Sequence, residues 1–168
     1  CDQLRPQSRG EIKLHSLNPD DRPAAHFNYL KHPDDLKEMV EGLRMMDDLL
    51  NQPAFDAFRG ERIEPYPGLQ SDQELANWVR ANVSTDYHPS GTCRMGSDSR
   101  CVVDSELRVH GIERLRVVDA SIMPDIVSGN LNAPTQMIAE RAADFILGQT
   151  QLAPQSAPYH FLANHQSD

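Results

Sequence analysis

The chain has 168 residues, a formal net charge of −9, 39% hydrophobic and 6% aromatic residues. That length can bury one domain's core, scattered basic residues argue against a nucleic-acid footprint, and no apolar run approaches a transmembrane span. Three cysteines, Cys1, Cys93 and Cys101, lack any C-x-x-C pair, so neither a disulfide framework nor a zinc site is indicated and a reducing, cytoplasmic setting is expected.

The first patterned segment, Ser8 to Ser16, alternates Ile12 and Leu14 with polar neighbours behind Gly10, which predicts a half-buried strand. Asn18 to Pro23 is loop by composition, and His26 to Leu30 predicts a second short strand with Phe27 and Tyr29 on one face. From Pro33 to Asn51, Leu36, Met39, Val40, Leu43, Met46 and Leu50 follow helical spacing, with Asp34 and Asp35 favourably placed in the first turn. A short helical turn is expected beyond Pro53, and Pro65, Pro67 and Gly68 break the chain. Ser71 and Glu74 form a capping-box pattern that opens a helix burying Leu75, Trp78 and Val79.

Three short strands are expected next, at Cys101–Val103, Leu107–Val109 and Leu115–Val118. The last helix has Pro134 in its first turn and ends at Gly148. Residues 1–148 then read as one structured region, and 149–168, rich in Gln, Pro, Ser and Ala, as a flexible tail. Patches of strand and helix without a regular βαβ alternation indicate an α+β fold. The Leu115 strand and the final helix find no obvious sheet partners nearby, so they read as pieces that dock on something else.

Chemistry concentrates in the loop Asp86 to Gly96, D-Y-H-P-S-G-T-C-R-M-G. His88 lies between turn-forming residues and has the side chain whose ordinary pKa is nearest neutrality, so it is the candidate proton carrier. The plainer reading is a loop histidine bonded to a carbonyl. Asn130 and Asn132 precede the last helix, where one asparagine is commonly a cap. Two in three positions, at a helix terminus with unpaired N–H groups, suit an oxygen anion or electron-rich ring. Asp119 ends the apolar run Leu115–Val118, either as a turn carboxylate or as a cofactor contact at a strand end. His15, His26, His32 and His110 read as surface or structural residues, His160 and His165 in the tail are weak metal candidates, and no metal site is expected.

The segments Y-H-P-S-G-T-C-R-M-G, L-R-V-V-D-A-S-I-M-P and G-N-L-N-A-P-T-Q-M-I-A-E, in that order, resemble the carboxy-terminal signature of the glucose–methanol–choline (GMC) flavoprotein oxidoreductases. The resemblance runs from Leu4 to Gly148, and F-N-Y-L-K-H-P-D-D with Q-P-A-F-D-A-F-R-G leans towards the choline dehydrogenases over the related aliphatic alcohol dehydrogenases. It implies FAD as cofactor and a small-molecule alcohol as substrate. His88 would take the hydroxyl proton as hydride leaves for flavin N5, and Asn130 would orient the substrate oxygen. Asp119 and Ala120 would lie by the ribityl–pyrophosphate, and Asn132, Pro134 and Thr135 by the pyrimidine edge.

The family's G-x-G-x-x-G is absent from this chain. The resemblance is therefore to a carboxy-terminal substrate-side region, completed by an amino-terminal FAD-binding portion to whose domain the Leu115 strand and final helix belong. Weak FAD binding and no turnover are expected of the chain alone. An oxygen-using GMC alcohol oxidase and a non-catalytic interaction module are the alternatives, and peripheral membrane association stays open. All of this requires His88 and Asn130 to converge ahead of the last helix.

Overall fold

A computed structural model describes residues 1–64 and 71–156. Two strands pair antiparallel, β1 (Glu11–Lys13) with β2 (Ala24–His26), Ile12 opposite Ala25. Gly10 admits the pairing, because a Cβ there would stand 2.3 Å from the His26 carbonyl oxygen. The second strand lies earlier than its expected place at His26–Leu30. Asn28 (φ 55°) and Leu30 (φ 57°) turn left-handed, which ends the ladder at His26. The Asn28 side chain fixes the turn by donating Nδ2–H to the Arg9 carbonyl, 3.0 Å away.

Helix α1 (Pro33–Leu50) begins where expected, with Pro33 at its first position and His32 Nδ1 accepting the Asp34 N–H at 3.3 Å. A short 3-10 turn at Pro53–Phe55 follows. Helix α2 (Asp72–Asn82) opens on the expected capping box: Ser71 Oγ accepts the Glu74 N–H, and the Glu74 carboxylate accepts the Ser71 N–H. Buried Val40 of α1 meets Leu75 and Val79 of α2, with Leu36, Met39, Leu43 and Trp78 packed around them. Each such aliphatic side chain removed from water stabilises the pair by about 1.5–3 kcal/mol. The expected break at Pro65, Pro67 and Gly68 lies outside the described residues.

The three strands expected between 101 and 118 reduce to single bridges: Met95 with Val103, Val103 with Val109, and Arg108 with Arg116. Leu107 (φ 66°) and Arg114 (φ 62°) adopt left-handed backbone, so turns interrupt every run before a ladder can grow. Asp104 fixes the first of these turns, accepting the N–H groups of Glu106 and Arg108 at 2.9 and 3.0 Å. Val103, Leu107 and Ile122 are nevertheless buried together with Ala142 of the last helix, forming a second core.

That helix, α3 (Asn132–Leu147), follows a 3-10 turn at Ala120–Ile122 and ends at Gly148, whose φ of 67° a residue with a Cβ resists. Residues 149–156 carry no regular structure, and the remainder of the expected tail lies outside the described residues. Three α-helices, two 3-10 turns and one two-stranded sheet, among the described residues, make an α+β chain dominated by helix. No described helix is long and apolar enough to cross a membrane.

Candidate active site

His88 is carried by a strip of irregular chain laid against the 3-10 turn at Ala120–Ile122. Alternate N–H groups of that strip, those of Gly91, Cys93 and Met95, donate to the carbonyls of Ala120, Ser121 and Ile122 at 3.3, 2.9 and 2.8 Å. Ile122 is fully buried and Met95 packs on the same core, so the second core anchors the strip. Gly91 has φ 81°, and a Cβ there would stand 3.2 Å from the Met123 carbonyl oxygen. On the amino side, the Thr85 hydroxyl accepts the Tyr87 N–H at 3.0 Å, and Tyr87 itself is left-handed (φ 62°). His88 therefore projects from a stretch fixed on both sides.

Asn130 is placed by buried Leu131, immediately before α3. The loop that leads to it is tied to the amino-terminal segment by Arg9 with Asp125 at 2.9 Å and by Arg5 with the Ser128 hydroxyl at 3.4 Å. The two side chains meet: Asn130 Nδ2 lies 3.0 Å from His88 Nε2. With the amide N–H donating, Nε2 offers its lone pair and the ring proton sits on Nδ1. An unprotonated nitrogen beside an N–H donor is the arrangement needed to accept a proton from a hydroxyl and hold its oxygen.

Both residues line a cavity of about 300 Å³ whose walls also include Phe27, Tyr29, Asp35 and Asp86. Asp86 brings a carboxylate oxygen to 3.9 Å from the same Nε2, beyond hydrogen-bond reach. Asp35, only 1% exposed, accepts from Gln3 Nε2 at 3.0 Å, the Gln7 N–H at 2.7 Å and the Ser8 N–H at 2.8 Å. Burial works to raise the pKa of that carboxyl, but the bonds from Ser8, Gln7 and Gln3 together hold it below its ordinary value. The carboxylate thus clamps residues 3–8 across the start of α1.

Asp119, Ala120, Asn132, Pro134 and Thr135 are not among the residues lining this cavity. Asp119 makes the turn contact, its Oδ1 accepting the Ser121 N–H at 2.8 Å, and the Ala120 carbonyl is taken by Gly91. Neither asparagine caps α3: Leu131 occupies the cap position with no side-chain bond, and Asn132 Oδ1 accepts from Gln136 Nε2 at 2.9 Å. Pro134 stands in the first turn, and the Thr135 N–H bonds the Leu131 carbonyl at 3.0 Å. The first-turn N–H groups of Asn132 and Ala133 are left without a capping side chain. Sequence reading missed Asp86, Phe27, Tyr29 and Asp35 as site residues. Only the i, i+2 spacing of Asp86 and His88 hinted at any of them.

A family model for the GMC oxidoreductases matches residues 6–139. The oxygen-dependent choline dehydrogenase of Cronobacter sakazakii is 50% identical over 160 residues, which cover 95% of this chain and 28% of that protein. Among solved structures, pyridoxine 4-oxidase from Mesorbium loti aligns with TM-score 0.80 and 31% identity, over 88% of this chain and 29% of that one. An FAD-dependent oxidoreductase from Chaetomium thermophilum aligns with TM-score 0.81 and 30% identity, over 86% of this chain and 25% of its own. The chain spans under a third of the length of the curated relatives it matches.

Proposed function

Since this chain belongs to the GMC oxidoreductase family, we propose that it forms the substrate-side and active-site portion of an FAD-dependent alcohol dehydrogenase, with choline the favoured substrate. The observation that carries the reading is the 3.0 Å approach of Asn130 Nδ2 to His88 Nε2 at the wall of a cavity. The substrate hydroxyl enters between these two groups, its proton moves to His88 Nε2, and the Asn130 N–H holds the oxygen as it becomes a carbonyl. Such positioned proton removal accelerates the step by about 10²–10⁴-fold.

The residues fit a flavin. The uncapped first turn of α3 presents Asn132 and Ala133 N–H groups and the positive end of the helix dipole to an electron-rich acceptor. Asn132, Pro134 and Thr135 would meet the pyrimidine edge there, while Asp119 and Ala120 would lie towards the ribityl–pyrophosphate. Bound FAD supplies the hydride acceptor. An amino-terminal FAD-binding portion completes the site, and the relatives' greater length supports that partner. It would take up α3 and the Leu115 segment as part of its own domain, leaving the rest as the cap over the substrate. Three free thiols agree with the reducing, cytoplasmic setting included in this reading.

The test is co-expression with the amino-terminal portion of a GMC relative, followed by anaerobic flavin reduction by choline. His88→Ala is expected to slow reduction by at least about 10²-fold, and Asn130→Ala to slow it less. Reduction at the parent rate in His88→Ala would refute the assignment. Flavin reoxidation, measured with oxygen and with an artificial acceptor, separates a dehydrogenase from an oxidase.

A further inference from the structure

We propose that Arg9, fixed by the Asp35 clamp on the amino-terminal strap, is a positioning residue that sets Asn130 against His88 through its ion pair with Asp125. The inference rests on the alcohol-oxidising reading and adds what holds the oxygen-binding amide in place.

The loop that carries Asn130 has little structure of its own. Among the described residues, no helix or strand includes residues 124–130 and no backbone–backbone hydrogen bond reaches them. They are exposed apart from half-buried Ile126, and a Cβ on Gly129 would meet open space. Buried Leu131 fixes the far end alone. A segment with so few contacts takes its position from whatever grips it. Two arginines of the strap do so, Arg9 at Asp125 and, more weakly, Arg5 at the Ser128 hydroxyl.

Arg9 is oriented for this grip before Asp125 arrives. Its Nη1 donates to the Pro6 and Ser8 carbonyls at 2.6 and 3.1 Å, which leaves Nη2 aimed at Asp125 Oδ1, 2.9 Å away. The backbone beneath is held on both sides. The Ser8 N–H donates to Asp35 at 2.8 Å, and the Arg9 carbonyl accepts from Asn28 Nδ2 at 3.0 Å. A planar fork already oriented loses less freedom in pairing than a free side chain does. The contact therefore belongs at the upper end of the range for exposed ion pairs. Arg94 of the His88 strip also attracts Asp125, but gives its hydrogen bonds to Asp98 at 2.7 and 2.6 Å. Neither Arg9 nor Arg5 lines the cavity, so their influence on substrate must travel through the loop.

The geometry tolerates little displacement. Asn130 Nδ2 stands 3.0 Å from His88 Nε2, and a shift of about 1 Å takes it out of hydrogen-bond reach. Misplacement on that scale costs on the order of 10²-fold in rate. His88 is gripped separately, by the strip bonded to the Ala120, Ser121 and Ile122 carbonyls. A loosened loop therefore moves Asn130 and leaves His88 where it is, so the effect of Arg9 on catalysis passes through Asn130.

The experiment is a double-mutant cycle on anaerobic flavin reduction by choline, in the FAD-loaded enzyme containing this chain. Arg9→Ala is expected to lower the limiting reduction rate about fivefold, and to act on that rate rather than on the half-saturating choline concentration. Asp125→Ala should match it from the other end of the contact, and Arg9→Lys, which keeps the charge, should recover part of the loss. In an Asn130→Ala background, Arg9→Ala should change the rate by less than about twofold, because the group it positions is gone. A full fivefold loss in that background, or a parent rate in Arg9→Ala, would overturn the proposal. The ring-nitrogen NMR shifts of His88 read the same contact without turnover. Arg9→Ala should move the Nε2 signal part of the way to its position in Asn130→Ala, and an unmoved signal would also overturn the proposal. A parent whose flavin choline does not reduce would sink the alcohol-oxidising reading and leave the NMR comparison to decide this one.

Discussion

Removing the Asp35 carboxylate isolates one tertiary device. Its two oxygens collect the Gln7 and Ser8 N–H groups and the Gln3 amide, all within 3.0 Å, from a position 1% exposed. A hydrogen bond to a charged group contributes about 1.5–3 kcal/mol net, and a truncated buried partner strands its donors. The strap is partly exposed, so its donors recover some water, and Asp35→Ala should cost about 2–4 kcal/mol. Asp35→Asn should cost roughly half that, because one amide oxygen still accepts while the new NH₂ opposes a donor.

The pH dependence follows from the lowered pKa of this carboxyl. A group whose folded value lies below its unfolded one contributes its full stabilisation above the unfolded value, near 3.9 for aspartate. That contribution disappears as pH falls through the folded value. The gap between parent and Asp35→Asn should therefore be widest at neutral pH and close in acid. Urea unfolding followed by Trp78, the chain's single tryptophan and part of the adjoining core, reads it out. A gap that widens on acidification would mean that burial outweighs the three hydrogen bonds, and would refute the reasoning.

Gly91→Ala forces a Cβ to 3.2 Å from the Met123 carbonyl oxygen at φ 81°. It should cost about 1–2 kcal/mol, with flavin reduction falling further than the stability loss explains, because Gly91 sits in the strip that carries His88. Equal activity per folded molecule would contradict the strip's positioning role. Ser71→Ala removes the hydroxyl that caps α2 and should cost about 1 kcal/mol, measured as a shift in urea midpoint at constant slope.

Elements built from local information were legible. The apolar spacing of α1, the Ser71–Glu74 box and the Gly148 stop each depend on residues within a turn of one another, and each occurs where the pattern places it. Beyond β1, which falls within the expected Ser8–Ser16 strand, the strands were not legible, because what ends them is left-handed backbone at residues that carry a Cβ. Leu107, Arg114 and Leu30 hold positive φ through surrounding bonds, as in the Asp104 turn, and no composition signal marks them. Asp35 shows the same limit. A first-turn aspartate is favourable at any helix start, and only the approach of residues 3–8 turns it into a buried acceptor. Of the site, the meeting of His88 and Asn130 could be anticipated from their motifs, whereas the Asp86 and Phe27–Tyr29 walls depend on tertiary placement.

The position of the cavity explains why its walls have two origins. His88 rides on the strip anchored by Ile122 and Met95, and so belongs to the core that includes Ala142 of α3. Asp35 stands at the start of α1, whose neighbouring face makes the other core with α2, and Leu30, next in the chain to Tyr29, packs on that core. The arginines of residues 3–9 reach from the Asp35 clamp to the loop that delivers Asn130. The cavity walls thus rest on different cores joined by a hydrogen-bonded strap. The same arrangement leaves α3 with Ala142 as its single buried residue and with Met137, Ile146 and Leu147 in water. Exposed apolar side chains around a helix whose first turn is proposed above to face a flavin call for further surface to cover them. The amino-terminal portion proposed above would meet both needs at once.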